Sequence, residues 1–229
     1  MRKLMMLTML MLMATVVFAQ EKEKRSVGDF TRITVSSGID LYLSQADAND
    51  VEVECKKDDL HRLMTEVEGN TLKIYMKGNF SWNWSTKTTP KVYVSVKQLE
   101  ALSASGGSDV YGQNVLEQPV LKLSSSGGSD VYIEVKSDEL KLTTSGGSDI
   151  KIKGVVGQLI ATSSGGSDIN ARDLKAETVK VTSSGGSDAI VWANKEIIAN
   201  ASGGSDIVFY GNPEIKQLNE SGAGDISQR

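Results

Sequence analysis

From Val27 onward apolar and polar residues alternate with a period of two, the pattern of strands that bury one face. Phe30, Ile33 and Val35, then Ile39, Leu41 and Leu43, stand on either side of Ser36-Ser37-Gly38 and predict two strands joined by a turn. Val51, Val53 and Cys55 alternate in the same way, as do Leu72, Ile74 and Met76 after a Gly69-Asn70 turn, and then Val92, Val94 and Val96. One stretch breaks the period. Between Asp58 and Glu66 the apolar residues Leu60, Leu63 and Met64, with Val67 just beyond, fall at helical spacing. Asp58 or Asp59 can cap the first turn, which predicts one short helix of one or two turns. His61 lies in it without a second histidine or a clustered carboxylate nearby, and reads as a surface residue. From Gly78 to Lys87 turn formers surround Trp82 and Trp84, predicting a β-hairpin. Its tryptophans either cover the end of the core or stand exposed as a contact patch.

Beyond residue 98 the alternation becomes a repeat. Ser-Gly-Gly-Ser-Asp occurs six times, ending at Asp109, Asp130, Asp149, Asp168, Asp188 and Asp206, and a degraded seventh copy ends at Asp225. The steps between these aspartates run from 18 to 21 residues, a period that predicts a solenoid with one structural unit per repeat. One residue after each Asp stand Val110, Val131, Ile150, Ile169, Ala189, Ile207 and Ile226, all apolar; two residues after it the set is mixed, from Tyr111 and Tyr132 to Lys151 and Asn170. A strand with its odd positions inward follows from this. A second strand precedes the corner, and its inward residues shrink to Ala104, Ser125, Thr144, Ser163, Ser183 and Ala201 as the interior narrows. The predicted fold is all-β: a single-stranded parallel β-helix (β-solenoid) of about seven turns over 99–229, preceded by a strand-rich region over 27–98. At ~4.8 Å per turn the rod would be roughly 34 Å long.

Stacked turns would also stack the aspartates. Two carboxylates ~5 Å apart repel by about 0.8 kcal/mol even at water's dielectric, so something must offset the repulsion at every step. Hydrogen bonds from the repeat's serines and from backbone N–H groups at the Gly-Gly corner are one means. A cation such as Ca²⁺, held along the ladder of Asp109, Asp130, Asp149, Asp168, Asp188, Asp206 and Asp225, is the other. The spacing matches the nine-residue calcium-binding repeats poorly, which favours the hydrogen bonds.

The amino terminus changes the picture of where the protein works. Arg2 and Lys3, an apolar run from Leu4 to Phe18, and Val17-Phe18-Ala19 have the layout of a cleavable secretory signal over 1–19. The charged residues 20–26 then read as a flexible stub. Removing Arg2 and Lys3 leaves 23 of the 25 basic residues against 29 acidic ones, about −6, which gives no electrostatic reason to expect nucleic acid as a partner. After signal removal no integral membrane span is expected. Cys55 is the only cysteine, so no intrachain disulfide forms.

In combination, the stretch Phe30-Thr31-Arg32-Ile33-Thr34-Val35-Ser36-Ser37-Gly38-Ile39-Asp40-Leu41-Tyr42-Leu43-Ser44-Gln45, the Asp58-Asp59-Leu60 helix, the Asn70-Thr71-Leu72-Lys73-Ile74 strand and the Ser-Gly-Gly-Ser-Asp turns resemble the putative autotransporter adhesin head (GIN head) domain family. The resemblance covers Val27 to the carboxyl end. It implies a secreted, periplasmic or envelope-associated β-helical protein of Bacteroidetes-type, Gram-negative bacteria, and supplies no catalytic residues.

Three functions are compatible with these observations. A non-catalytic adhesin-like scaffold would contact protein or glycan through Trp82 and Trp84 of the hairpin and Tyr111, Tyr132, Trp192 and Tyr210 of the outer strand positions. These aromatics are equally at home as ordinary outer-face strand residues. A structural solenoid would assemble through its open end near Asp225 to Arg229. A carbohydrate-active enzyme needs a cleft built from long loops, and repeats that differ by so few residues predict none. Nucleophile motifs and zinc-ligand clusters are absent from the sequence too.

Overall fold

The computed structural model describes residues 20–78 and 89–229, so the expected signal and most of the expected tryptophan hairpin, Trp82 and Trp84 included, lie outside the described residues. The chain is all-β, a β-solenoid of about seven turns. Five long strands form its body: β9 (Val110–Ser126), β10 (Asp130–Ser145), β11 (Asp149–Ser164), β12 (Ile169–Gly185) and β13 (Ala189–Gly203). Each runs from one Gly-Gly corner to the next and pairs in parallel with its counterpart one turn on. Asp130 lies beside Asp149, Val131 beside Ile150, and so on to Ser145 beside Ser164. Like residues therefore stack on like, and Leu121, Leu140, Leu159, Val179 and Ile197 form one column of the buried core. Beyond β13 the turns continue as β14 (Asp206–Tyr210), β15 (Ile215–Gly222) and β16 (Asp225–Gln228).

The amino-terminal region continues the same rod. Its strands are β1 (Glu21–Lys24), β2 (Arg32–Val35), β3 (Asp40–Gln45), β4 (Asp50–Cys55), β5 (Leu63–Glu68), β6 (Thr71–Met76), β7 (Lys91–Val96) and β8 (Ala101–Ser105). β2 and β3 form the turn next to β8 and β9, and β6 and β7 form the one before it, all in parallel. β4 and β5 then pair antiparallel with β7 and β6, and β1 antiparallel with β4. The buried core is continuous from Phe30 to Phe209.

Two expectations are corrected here. The helix expected from Asp58 to Glu66 is a single 3-10 turn, Lys57–Asp59, and Leu63 to Glu68 is strand. Helical spacing yields to tertiary pairing: Leu63 lies beside Met76, Thr65 beside Ile74 and Val67 beside Leu72, and Leu63 is buried there. The charged stub is likewise ordered in part. Glu21–Lys24 forms β1 because its alternating charges match β4, with Lys22 Nζ 3.0 Å from Glu52 and Lys24 Nζ 3.3 Å from Asp50.

At the corners the first glycine of each pair has positive φ, and turns approach so closely there that a Cβ on Gly127 would stand 3.3 Å from the Gly106 nitrogen. The second repeat serine, Ser108, Ser129, Ser148, Ser167, Ser187 and Ser205, is fully buried at every corner. Burial without a partner would cost about 1–3 kcal/mol for each hydroxyl. Ser129 Oγ accepts the Ser108 N–H at 3.0 Å and Ser148 Oγ the Ser129 N–H at 3.2 Å, while Ser187 and Ser205 donate to Ser184 and Ser202 carbonyls at 2.8 and 2.9 Å.

Candidate functional site

Outside the buried serines runs the aspartate ladder, and its hydrogen bonds pass between turns. Oδ1 of Asp109, Asp130, Asp149, Asp168 and Asp188 accepts the backbone N–H of the aspartate one turn on, at 3.0 to 3.2 Å. A carboxylate accepting an N–H is a charge-assisted bond, and it answers the repulsion along the stack locally. Burial, above all, raises the pKa of Asp109 and of Asp149, with neighbouring aspartates adding to it. Among the described residues no group of three or more His, Cys, Asp or Glu is arranged to hold a metal ion.

The ladder has a rung that the repeat motif hides. Asp40 lies one turn before Asp109, since Leu41 pairs with Val110, and burial followed by the charge of Asp109 raises its pKa too. Ser37 and Gly38 have φ of 77 and 69°, the left-handed geometry of Gly106 and Gly107, and the Ile39 N–H reaches Ser108 Oγ at 3.1 Å. Asp40-Leu41-Tyr42 also matches Asp109-Val110-Tyr111 and Asp130-Val131-Tyr132, a signal present in the sequence.

Two residues after Asp40, Asp109 and Asp130 stand tyrosines that stack on one another, and Tyr93, two residues after Lys91 in the preceding turn, extends the stack. Tyr93, Tyr42, Tyr111 and Tyr132 follow one another with ring centroids 5.0, 5.4 and 5.6 Å apart. Tyr111 and Tyr132 donate their hydroxyls back to Oδ2 of Asp109 and Asp130 at 3.4 and 3.2 Å. Burial and then the nearby carboxylates push the Tyr111 phenol up to about 12. Lys22 covers the outer ring, 4.5 Å from the Tyr93 centroid. At the other end Tyr132 is 39 % exposed.

The open end of the stack faces a cleft of about 380 Å³ lined by Gln113, Tyr132, Glu134, Lys151, Asn170 and Asp173, among others. Small differences in repeat length build it, contrary to the expectation that near-uniform repeats leave no cleft. Gly112, Gln113 and Asn114 of β9 stand opposite Ile133 alone, and Ala171 and Arg172 of β12 opposite Ile152 alone. The first bulge itself lines the cleft on one side, and Asn170 and Asp173, which flank the second, line it on the other, around two turns that match residue for residue. Within it Lys153 Nζ holds Glu134 at 2.9 Å.

The other two described contact candidates form a second stack. Trp192 and Tyr210 lie 6.1 Å apart, with Lys175 over the first ring and the Arg172 guanidinium 4.7 Å from the second. Tyr111 and Tyr132 thus come together with Tyr42 and Tyr93, and Trp192 with Tyr210, while each tyrosine stack member beyond the repeats escaped the repeat pattern.

Residues 29–213 match the family model described as putative auto-transporter adhesin, head GIN domain. The chain belongs to the GIN head family. Among solved structures, this GIN head chain is similar to a putative adhesin from Bacteroides fragilis NCTC 9343, with 25 % identity, a TM-score of 0.85, and coverage of 92 % of this chain and 97 % of that one. It shares its fold with a putative adhesin from Parabacteroides distasonis ATCC 8503, at 22 % identity and a TM-score of 0.74 over 93 % and 98 % of the two chains. A putative lipid binding protein from the same organism shares the fold as well, at 22 % identity and 0.71 over 92 % and 97 %. None of the curated proteins matches the GIN head chain. Among its described residues, no helix is long and apolar enough to cross a membrane.

Proposed function

We propose that this GIN head protein is a secreted or envelope-exposed, non-catalytic scaffold of a Gram-negative bacterium that contacts glycans at the open end of its tyrosine stack. One observation carries the reading: four rings lie in a row, the far one is covered by Lys22, and the near one, Tyr132, opens onto a cleft between two bulges. Flat aromatic faces flanked by amides and charged groups suit the apolar face and hydroxyl rim of a sugar ring. The parallel in-register pairing supports the scaffold role, because it holds those rings rigid. The adhesin reading of the family supports it too, and the residue pattern of 1–19 supports export.

A catalytic role finds less support. Glu134, a carboxyl that could serve as acid or nucleophile, is engaged by Lys153 at 2.9 Å. An assembly role draws on one feature: β15 is exposed throughout, with Ile215 52 % and Leu218 41 % exposed, and pairs with β13. A concentration-independent monomer mass removes that alternative.

A glycan array tests the main reading. Wild-type protein is expected to bind a defined set of glycans, and Tyr132→Ala to lose them while staying folded, with a melting temperature lowered only by the loss of its stacking and its bond to Asp130. A blank array for the wild type, or binding untouched by Tyr132→Ala, overturns it.

A further inference from the structure

We propose that the cleft selects a sugar bearing a carboxylate, through Lys151. This inference rests on the glycan reading above and adds the chemical class. The column of outward positions runs Tyr93, Tyr42, Tyr111, Tyr132, Lys151 and Asn170, each beside the next across paired turns. The first four stack as rings. The Tyr132 plane lies within 4° of the Tyr111 plane, so its second face looks along the rod toward the turn of Lys151.

Lys151 differs from the cations around it. Lys136, Lys153 and Lys195 each reach a glutamate one turn back, Glu117, Glu134 and Glu177, at 3.2, 2.9 and 2.9 Å. The partners of Lys151 across the turns are Tyr132 and Asn170, neither of them acidic, and it forms no ion pair among the described residues. Lys22 and Lys175 lie over aromatic rings, whereas the Lys151 ammonium makes no such contact with Tyr132, which is 39 % exposed. An aromatic face and an exposed ammonium thus stand side by side in one cleft. A hexuronate residue meets both: its ring carbons cover the phenol while its carboxylate pairs with the lysine Nζ. Of the acidic groups around it, Glu134 is held by Lys153 and Asp173 lies beside Lys153 in the next column. Asp130 is engaged by the Tyr132 hydroxyl at 3.2 Å and, with Asp149, stands on the corner side of the column, so the ligand carboxylate is accommodated on the side of Lys151 away from the ladder. Asn170 and Gln113 flank the floor with amides for the remaining hydroxyls.

Calorimetric titration of the full chain with a galacturonate trisaccharide and with its neutral galactose counterpart tests the assignment. The acidic sugar is expected to bind, and Lys151→Gln to weaken it by about tenfold or more. Tyr132→Ala is expected to abolish binding of both sugars, and Tyr132→Phe, which keeps the ring, to retain it. Equal binding of both sugars, unchanged in Lys151→Gln, overturns the carboxylate selection and leaves the glycan reading in place. Failure of both sugars to bind overturns the carboxylate selection, and the glycan reading falls with it only if the glycan array is blank as well. Lys151 is exposed, so an unchanged melting curve for Lys151→Gln shows that a lost affinity is not a lost fold.

Discussion

Asp109 Oδ1 accepts the backbone N–H of Asp130 at 3.1 Å, and Oδ2 of the same carboxylate takes the Tyr111 hydroxyl at 3.4 Å. One side chain thereby ties two turns of the rod together and orients a ring of the aromatic stack. Asparagine keeps an acceptor in that place and removes the repulsion from Asp40 and Asp130, whereas alanine removes the acceptor. Urea unfolding is expected to find Asp109→Ala less stable by about 0.5–1.5 kcal/mol, and Asp109→Asn equal to or above the wild type. Because backbone N–H groups already bond the ladder carboxylates from turn to turn, millimolar Ca²⁺ and chelator are expected to leave the melting temperature unchanged. A rise in calcium reversed by chelator would restore the cation reading.

The raised pKa values of Asp40, Asp109 and Asp149 fix the sign of the acid response. The folded chain holds these protons more tightly than the unfolded one, so it binds more protons in the window above the ordinary carboxyl value of 3.8. Stability therefore falls as pH rises through the folded values and is regained on acidification through them. Glu177, lowered by its hydrogen bonds to Lys195 and Asn194, acts in the opposite sense but is exposed enough for solvent to screen it. Melting curves are expected to shift upward between neutral and mildly acid pH, and less so in Asp109→Asn. A downward shift of the wild type would contradict the ladder's electrostatics.

The tyrosine stack predicts an alkaline transition. Tyr111 is pushed up to about 12, and Tyr93 and Tyr132 are raised, by burial first and then by neighbouring carboxylates and rings. The stability they contribute is complete below the unfolded value near 10 and is lost as pH rises through the folded values. Tyrosinate absorbance is expected to lag behind a free tyrosine until the chain unfolds. Full ionisation at the ordinary value with the fold intact would show that the rings do not stack as described.

The rod was legible because each turn repeats the same five-residue corner, and stacking like on like leaves few other arrangements. The corner at Ser36 to Asp40 was not legible as a repeat, since Ser37 and Ile39 stand where glycine and serine stand elsewhere. Its sequence signal is confined to Asp40-Leu41-Tyr42, and its position in register beside Asp109 gives that signal its meaning. The cleft escaped for a different reason: it belongs to no single repeat. It arises where Gly112 to Asn114 and Ala171 to Arg172 bulge around two flat turns, a relation between lengths of neighbours. The helix misread at Leu63 shows the limit of local spacing when an open strand, β6, is waiting alongside.

Gly154 marks where the flat turns meet the bulged ones. Its φ is 123°, and a Cβ there would stand 1.9 Å from the Val135 carbonyl oxygen one turn back. Relief would require the parallel ladder beside the cleft to open. Gly154→Ala is expected to lower stability by roughly 2 kcal/mol or more, or to prevent folding, by urea unfolding or expression yield. Gly157→Ala, with its nearest atom at 2.7 Å and no left-handed φ, is expected to cost less. Equal tolerance of both substitutions would refute the account.

Ser37 supplies the converse case. It is the described non-glycine residue with positive φ, 77°, and it occupies the place that Gly106, Gly127 and Gly146 fill in the following turns. An L-residue in left-handed geometry carries about 1–2 kcal/mol of strain that glycine lacks. Glycine in turn gives the unfolded chain more freedom, which returns about 0.4–1 kcal/mol of that gain. Ser37→Gly is therefore expected to stabilise the protein by up to about 1.5 kcal/mol, the difference between these terms. The reverse change, Gly127→Ser, is expected to destabilise by more than that, because its Cβ would also press on the Gly106 nitrogen at 3.3 Å. Urea midpoints for the two variants decide it: a destabilised Ser37→Gly would mean that the serine side chain holds the corner in a way its backbone geometry does not reveal.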